Sequence, residues 1–192
     1  MKRSYIIIGV LVLLVIMLGG CYNGMNRARV EVDNKWAGVQ SSYQRRMDLI
    51  PNLVATVKGV ANFEQSTLTQ VIQARANATS LKVNASDLTP EKMQQIQQSQ
   101  GQIGNAIGRL LMVSEQYPQL KATENFRDLQ TQLEGTENRI KVSRDEFNDA
   151  VKDFNVKITN FPGNLLAGMF GFKQRPMFEA DQGAQNAPKV QF

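Results

Sequence analysis

A chain of 192 residues with 22 Lys and Arg against 17 Asp and Glu carries a net charge of +5, an excess too small and too interspersed with acids to indicate a nucleic-acid footprint. It has no histidine and a single cysteine, which excludes an internal disulfide and removes the commonest general base and metal ligand. No phosphate-cradling glycine loop, nucleophile elbow or metalloprotease signature is present, so no catalytic, cofactor-binding or metal-ligating residue is assigned.

Lys2 and Arg3 precede an uncharged apolar run over residues 5–18, followed by Gly19-Gly20-Cys21. The strict run suits a signal-peptide core. Extended through Cys21 and Tyr22 it gives about 27 Å of helix at about 1.5 Å per residue, just enough to cross a bilayer. Two readings stay open: a retained single-pass helix, or a bacterial lipoprotein signal at Leu18-Gly19-Gly20-Cys21, cut before Cys21 with the thiol lipidated. Lys2 and Arg3 argue for a cytoplasmic N-terminus, while Arg27, Arg29 and Lys35 pull the other way. Long domains weigh little in that rule, and lipidation itself requires export, so the domain is expected outside the bacterial cytoplasmic membrane. Without Lys2 and Arg3 the charge balance is 20 to 17. Arg27, Arg29, Arg45 and Arg46 offer a soft attraction to anionic lipid, although a solvated helix face is the ordinary fate of such charges.

Beyond the anchor, apolar spacing is helical throughout and no segment alternates with period two. Val32, Trp36, Val39, Tyr43, Arg46, Ile50, Leu53, Val57 and Val60 keep one register straight through Pro51. This predicts a helix kinked at Pro51 rather than a chain reversal, with Gly59 as C-cap. Asn62 and Gln65 supply the next start, and Leu68, Val71, Ile72, Arg75 and Ala78 continue a short second helix. After a polar loop over residues 80–89, Thr89 caps a third helix with Pro90 at its first position and Leu88 stapled against Met93. Its seam is Met93, Ile96, Gln100, Ile103, Ile107, Leu110, Ser114 and Tyr117, with Gln100 and Ser114 as buried polar interruptions that can set register. Gly101, Gly104 and Gly108 share a neighbouring face. Each costs about 1 kcal/mol of helix propensity relative to alanine, which predicts close approach of another helix there.

The fourth helix has the clearest pattern. Ala122, Phe126, Leu129, Leu133, Thr136, Ile140, Ser143, Phe147, Ala150 and Phe154 step alternately by four and three, as in a left-handed bundle. Thr123 is its candidate N-cap and Phe161-Pro162 its end. Leu165, Leu166, Met169, Phe170, Phe172 and Phe178 then lie among Gly163, Gly168, Gly171 and Pro176, which predicts a helical turn and an extended strap along the bundle. A membrane-touching loop is the alternative. The expected architecture is all-α: an anchor or signal over 1–22, a long up-and-down four-helix bundle over 23–161, and an irregular strap over 162–192.

The stretch Arg45-Arg46-Met47-Asp48-Leu49-Ile50-Pro51-Asn52-Leu53-Val54, continued by Thr56-Val57-Lys58-Gly59, resembles the LemA family. So do Thr67-Leu68 through Ala74-Arg75, Leu110 through Tyr117-Pro118, Asn125-Phe126, Leu133-Glu134-Gly135-Thr136-Glu137-Asn138-Arg139, Phe161-Pro162 and the closing Ala187-Pro188-Lys189-Val190-Gln191-Phe192. The resemblance covers nearly the whole chain and implies a four-helix bundle on an N-terminal membrane segment. It implies no agreed enzymatic activity. Some relatives are linked to building internal bacterial membranes, and genes of the family often neighbour an envelope metalloprotease or a phosphatase-type envelope protein. Many relatives carry His-Glu where this chain has Phe63-Glu64, so no role of that histidine carries over.

Arg45, Arg46, Asp48, Asn52, Glu134, Glu137, Asn138 and Arg139 are expected to form a polar network bracing the helices rather than a ligand site, because buried charges persist only when paired. The functional expectation is a non-enzymatic, membrane-anchored scaffold or adaptor of the bacterial envelope that binds protein partners, with self-association open. The alternative is a self-assembling protein that shapes membrane. Heptads serve either reading, because they specify packing without saying whether the partner lies in the same chain or another.

Overall fold

The fold begins with one helix that carries both the anchor and the first bundle element. In the computed structural model, which describes residues 2–60, 63–81 and 83–179, α1 runs from Lys2 to Lys58, about 85 Å at about 1.5 Å per residue. Its seam from Val32 to Val57 is buried at every predicted position, and the stripe extends back to Met25 and Ala28. The apolar run before it lies bare, with Tyr5 to Leu18 exposed, and is long and apolar enough to cross a membrane.

α1 passes through Pro51 without a break. Proline has no N–H, so the carbonyl of Met47, four residues earlier, loses its helical partner. Arg75 Nε, reaching over from the second helix, donates to that carbonyl at 3.0 Å. The orphaned acceptor lies beside buried side chains, where an unmade hydrogen bond is costly, so this contact lets the helix continue.

α2 (Gln65–Thr79) contains all five residues expected to continue the second helix; it buries Thr67, Leu68, Val71, Ala74 and Ala78, while Ile72 turns outward and is 46% exposed. Glu64 is the N-cap, and Asn62 lies outside the described residues. A single 3-10 turn (Ala85–Asp87) leads into α3 (Pro90–Ser114). Thr89 Oγ1 accepts from the Lys92 N–H, Pro90 opens the helix, and Leu88 and Met93 are buried in one cluster, as the capping and staple signals predict. α3 ends three residues short of Tyr117, where α4 (Pro118–Lys121) makes one turn before α5 (Glu124–Thr159). Thr123 holds the N-cap position of α5, but its hydroxyl donates to the Leu120 carbonyl at 2.7 Å instead of capping. Ala122 is exposed and Ser143 half-buried; the other predicted positions of α5 are buried, joined by Val151 and Ile158.

α1 and α5 form the longest contact, α2 packs chiefly on α3, and α1 also meets α2. The up-and-down path therefore sets two close pairs side by side. One expectation fails here. A Cβ added at Gly101, Gly104 or Gly108 would meet nothing within 4 Å, so no helix approaches that face closely. Small residues permit close approach without producing it.

At the membrane end, a cis Phe161-Pro162 bond follows α5 and α6 (Gly163–Phe170) turns back under the bundle. Gly163 is required there, since a Cβ would fall 2.0 Å from the Lys157 carbonyl oxygen. Gly171, at φ 72°, ends α6 in the left-handed conformation that favours glycine. Residues 172–179 then run extended along the bundle with Phe172 and Phe178 buried, as the strap reading predicts. Two asparagines of α5 hold this strap by paired bonds. Asn155 donates to the Arg175 carbonyl and accepts from its N–H, both at 2.9 Å; Asn148 does the same with Phe178 at 3.1 and 2.8 Å. One heptad of helix rises about 10.5 Å, and three extended residues span about 10 Å, so the two clamps share one spacing. The closing Ala187–Phe192 lies outside the described residues.

Candidate functional site

The buried apolar side chains fall into two clusters. One, toward the anchor, contains Met25, Val32, Trp36, Val39, Met93, Phe147 and Phe154; the other, distal, contains Ile50, Leu53, Leu68, Ile103, Leu110 and Phe126. Between them lies a polar layer built from residues on the seams and one step beside them. Ser42 and Ser143 share a hydrogen bond at 3.0 Å across α1 and α5. Arg144 Nε donates to the Tyr43 hydroxyl at 2.9 Å, and its guanidinium also lies over the rings of Tyr43 and Phe178. Arg46 crosses from α1 to both α3 and α5: Nη1 donates to the backbone and side-chain oxygens of Gln100 at 3.2 and 3.3 Å, and Nη2 pairs with Glu137.

Arg46 is a charged residue only 3% exposed. Burial pushes its pKa down, and the nearby Glu137 carboxylate and Tyr43 offset that shift in part. Arginine stays ionised regardless, so the cation must be met by partners. Two of its three donor nitrogens are met; Nε, also buried, has no partner. Tyr43 is pushed up, first by burial, with Arg144 and Arg46 pulling it back. The layer can brace three helices and fix their register, since a one-step slip would strand a buried cation. It offers no nucleophile with an adjacent base.

Of the eight residues assigned to the network from sequence, the structure brings Arg46 and Glu137 together. Arg45, Asn52, Asn138 and Arg139 lie on exposed helix faces. Asp48 accepts from Gln44 at 2.7 Å and Glu134 from Gln130 at 3.1 Å, both local exposed bonds. Gln100, flagged from its seam position, does pair with Arg46. Tyr43, Arg144, Ser42 and Ser143 complete the layer and were not foreseen as members. Two of them, Tyr43 and Ser143, occupy heptad positions, which was the available signal.

Beside this layer a cleft of about 650 Å³ opens between α3, α5 and the strap, lined by Gly101, Gly104, Glu137, Lys141, Arg144 and Phe178 among others. Among the described residues no group of three or more Cys, Asp or Glu could hold a metal ion. Phe63 is a buried aromatic whose ring centroid lies 5.0 Å from that of Tyr117. Cys21 is half-buried against the lower core and faces a hollow it shares with Phe161, Pro162 and Gly163.

A sequence model of the LemA family matches residues 35–192, which takes in α2 to α6 and α1 from Lys35 onward. The chain belongs to the LemA family. It is 26% identical over 163 residues to Protein LemA of Metamycoplasma hominis, covering 85% of this chain and 71% of that relative. It is also 39% identical over 79 residues to Magnetosome protein MamQ 2 of Paramagnetospirillum magneticum and 40% identical over 78 residues to Magnetosome protein MamQ of Magnetospirillum gryphiswaldense. In each magnetosome relative the match covers 41% of this LemA chain and 29% of the relative, so it reaches less than a third of their length.

Proposed function

We propose that this LemA family member is a non-enzymatic, membrane-anchored helical scaffold that acts by protein–protein contacts in the bacterial envelope. The observation that carries the reading is the continuity of α1: the membrane stretch and the first bundle helix are one uninterrupted element. A domain carried on such a post is joined to the bilayer by a stiff connection rather than a loose linker, which suits presentation of long helix faces to a partner. Those faces are rich in charge and amide, as at Gln94, Gln95, Gln98, Arg127 and Asp128, and they do not carry the second apolar stripe expected of a polymerising helix. The inner membrane of a bacterium, crossed once, with the bundle on the outer side, is the proposed location; lipid anchoring through Cys21 is the alternative means of attachment. An envelope metalloprotease or phosphatase-type envelope protein is the kind of partner the family resemblance implies.

The similarity to proteins named for the magnetosome favours a second reading, a self-assembling membrane-shaping protein. Electron microscopy of liposomes carrying the full chain separates the two. The scaffold reading expects round, unremodelled vesicles with monomers or small oligomers; tubes, or coats of assembled protein, would favour membrane shaping.

A further inference from the structure

The lower end of the bundle carries an apolar surface that its own core does not use. α6 buries Gly163, Leu166 and Ala167 against α1 and α5, and turns Leu165 and Met169 outward on the opposite face, 63% and 77% exposed. Phe161, just before it, is 78% exposed, and Phe170, at its end, is 45% exposed. Four large apolar side chains on ten residues of surface is a heavy load for a face turned to water.

Its position says what covers it. Phe170 meets Tyr22 edge to face with ring centroids 4.9 Å apart, and Phe161, Pro162 and Gly163 line a hollow with Cys21 and Gly24. The surface therefore flanks α1 on one side where the bare apolar run enters the bundle. Charge patterning marks the same level in both segments. On α1 no Lys, Arg, Asp or Glu lies between Arg3 and Arg27; in the C-terminal segment Ile158 through Phe172 carries no charge and is bracketed by Lys157 and Lys173. The strict apolar run with its extension to Tyr22 spans about 27 Å, slightly less than the roughly 30 Å hydrocarbon core. Apolar surface added at the level of Tyr22 makes up such a shortfall.

We propose that Phe161, Leu165, Met169 and Phe170 form a collar that inserts shallowly into the lipid interface around the outer end of α1, with Lys157 and Lys173 at headgroup level. The inference depends on the anchoring by α1 and is independent of the scaffold reading. The anchor alone leaves the bundle free to roll about the helix axis; a one-sided collar selects one rotation and one tilt.

The test uses the full chain with Cys21→Ser and single cysteines introduced as Leu165→Cys, Met169→Cys, Val12→Cys and Met112→Cys, each labelled with a small environment-sensitive fluorophore. Met112 is 73% exposed on α3 at a distance from the anchor and serves as the water-facing reference. In phosphatidylcholine vesicles with a minority of phosphatidylglycerol, lipids bearing a nitroxide high on the acyl chain should quench positions 165 and 169 at least about fivefold more than position 112. A nitroxide near the chain end should instead favour position 12. Quenching at 12 with none at 165 and 169 overturns the collar while leaving the anchor intact; no quenching at 12 shows that the anchor itself has failed and removes the basis of the proposal. Positions 165 and 169 shielded from a water-soluble quencher yet untouched by lipid nitroxides would mean that a second copy covers the face, which also overturns it.

Discussion

Arg46 and Glu137 are unequal partners, because the arginine is buried and the carboxylate side chain is half exposed. Removing the carboxylate leaves a buried cation held only by Gln100, whereas removing the arginine leaves an anion that water can reach. Breaking a fully buried pair costs roughly 3–5 kcal/mol, and partial exposure of Glu137 lowers that. Glu137→Ala is therefore expected to cost about 2 kcal/mol, discounted for solvent screening, and Arg46→Met, which fills similar volume without charge, clearly less. Chemical denaturation of both variants checks the order, and an equal or reversed cost would show that the buried cation is not what Glu137 holds. Tyr43 gives a pH test. Its folded pKa is raised above the ordinary value near 10, so the stability it confers is complete below about pH 10 and is lost as pH rises through the folded value. Tyr43→Phe removes that component, and its stability should fall less steeply than the wild type above pH 10. Lys35, also raised by its bond to Glu146, acts alike in both proteins and cancels. Parallel alkaline profiles would contradict the assignment.

The helices themselves were legible in sequence because a seam of period 3.5 constrains every fourth and third residue over many turns. The partners of polar seam residues were less so. Arg46 and Gln100 announce themselves by interrupting apolar stripes, but Arg144 sits one step off the seam, and its reach to Tyr43 depends on the spacing of α1 and α5. The clamps have a signal in the sequence: Phe147-Asn148 and Phe154-Asn155 repeat one heptad apart. The glycines of α3 misled because a small residue reads alike whether a neighbour comes close or stays away. With nothing within 4 Å of a new Cβ, Gly104→Ala is expected to raise stability by up to about 1 kcal/mol through helix propensity. A fall in melting temperature would reinstate a close partner on that face. Pro51 and Arg75 form a coupled pair. Arg75→Met leaves the Met47 carbonyl unmet and should cost about 1–3 kcal/mol; in a Pro51→Ala background, where the restored N–H can take that carbonyl, the cost should largely vanish. Additive effects in the double-mutant cycle would show that the two residues act independently.

At the scale of the whole molecule, α1 joins the bare apolar run to the distal core, and the polar layer lies partway along that length. The all-α fold and its long helices could be read from composition and period, because burial of apolar surface dictates them. What meets the outer faces could not, since a solvated helix face and a partner-binding face share the same residue types. A scaffold is defined by what its bundle touches in place. Chemical crosslinking of the full chain in native membranes, with crosslinked peptides identified by mass spectrometry, measures this directly. The scaffold reading predicts recurrent crosslinks from the bundle faces of α3 and α5 to another envelope protein, in near-stoichiometric amounts. Crosslinks confined to copies of the same chain, extending into ladders of ever larger assemblies, would contradict it.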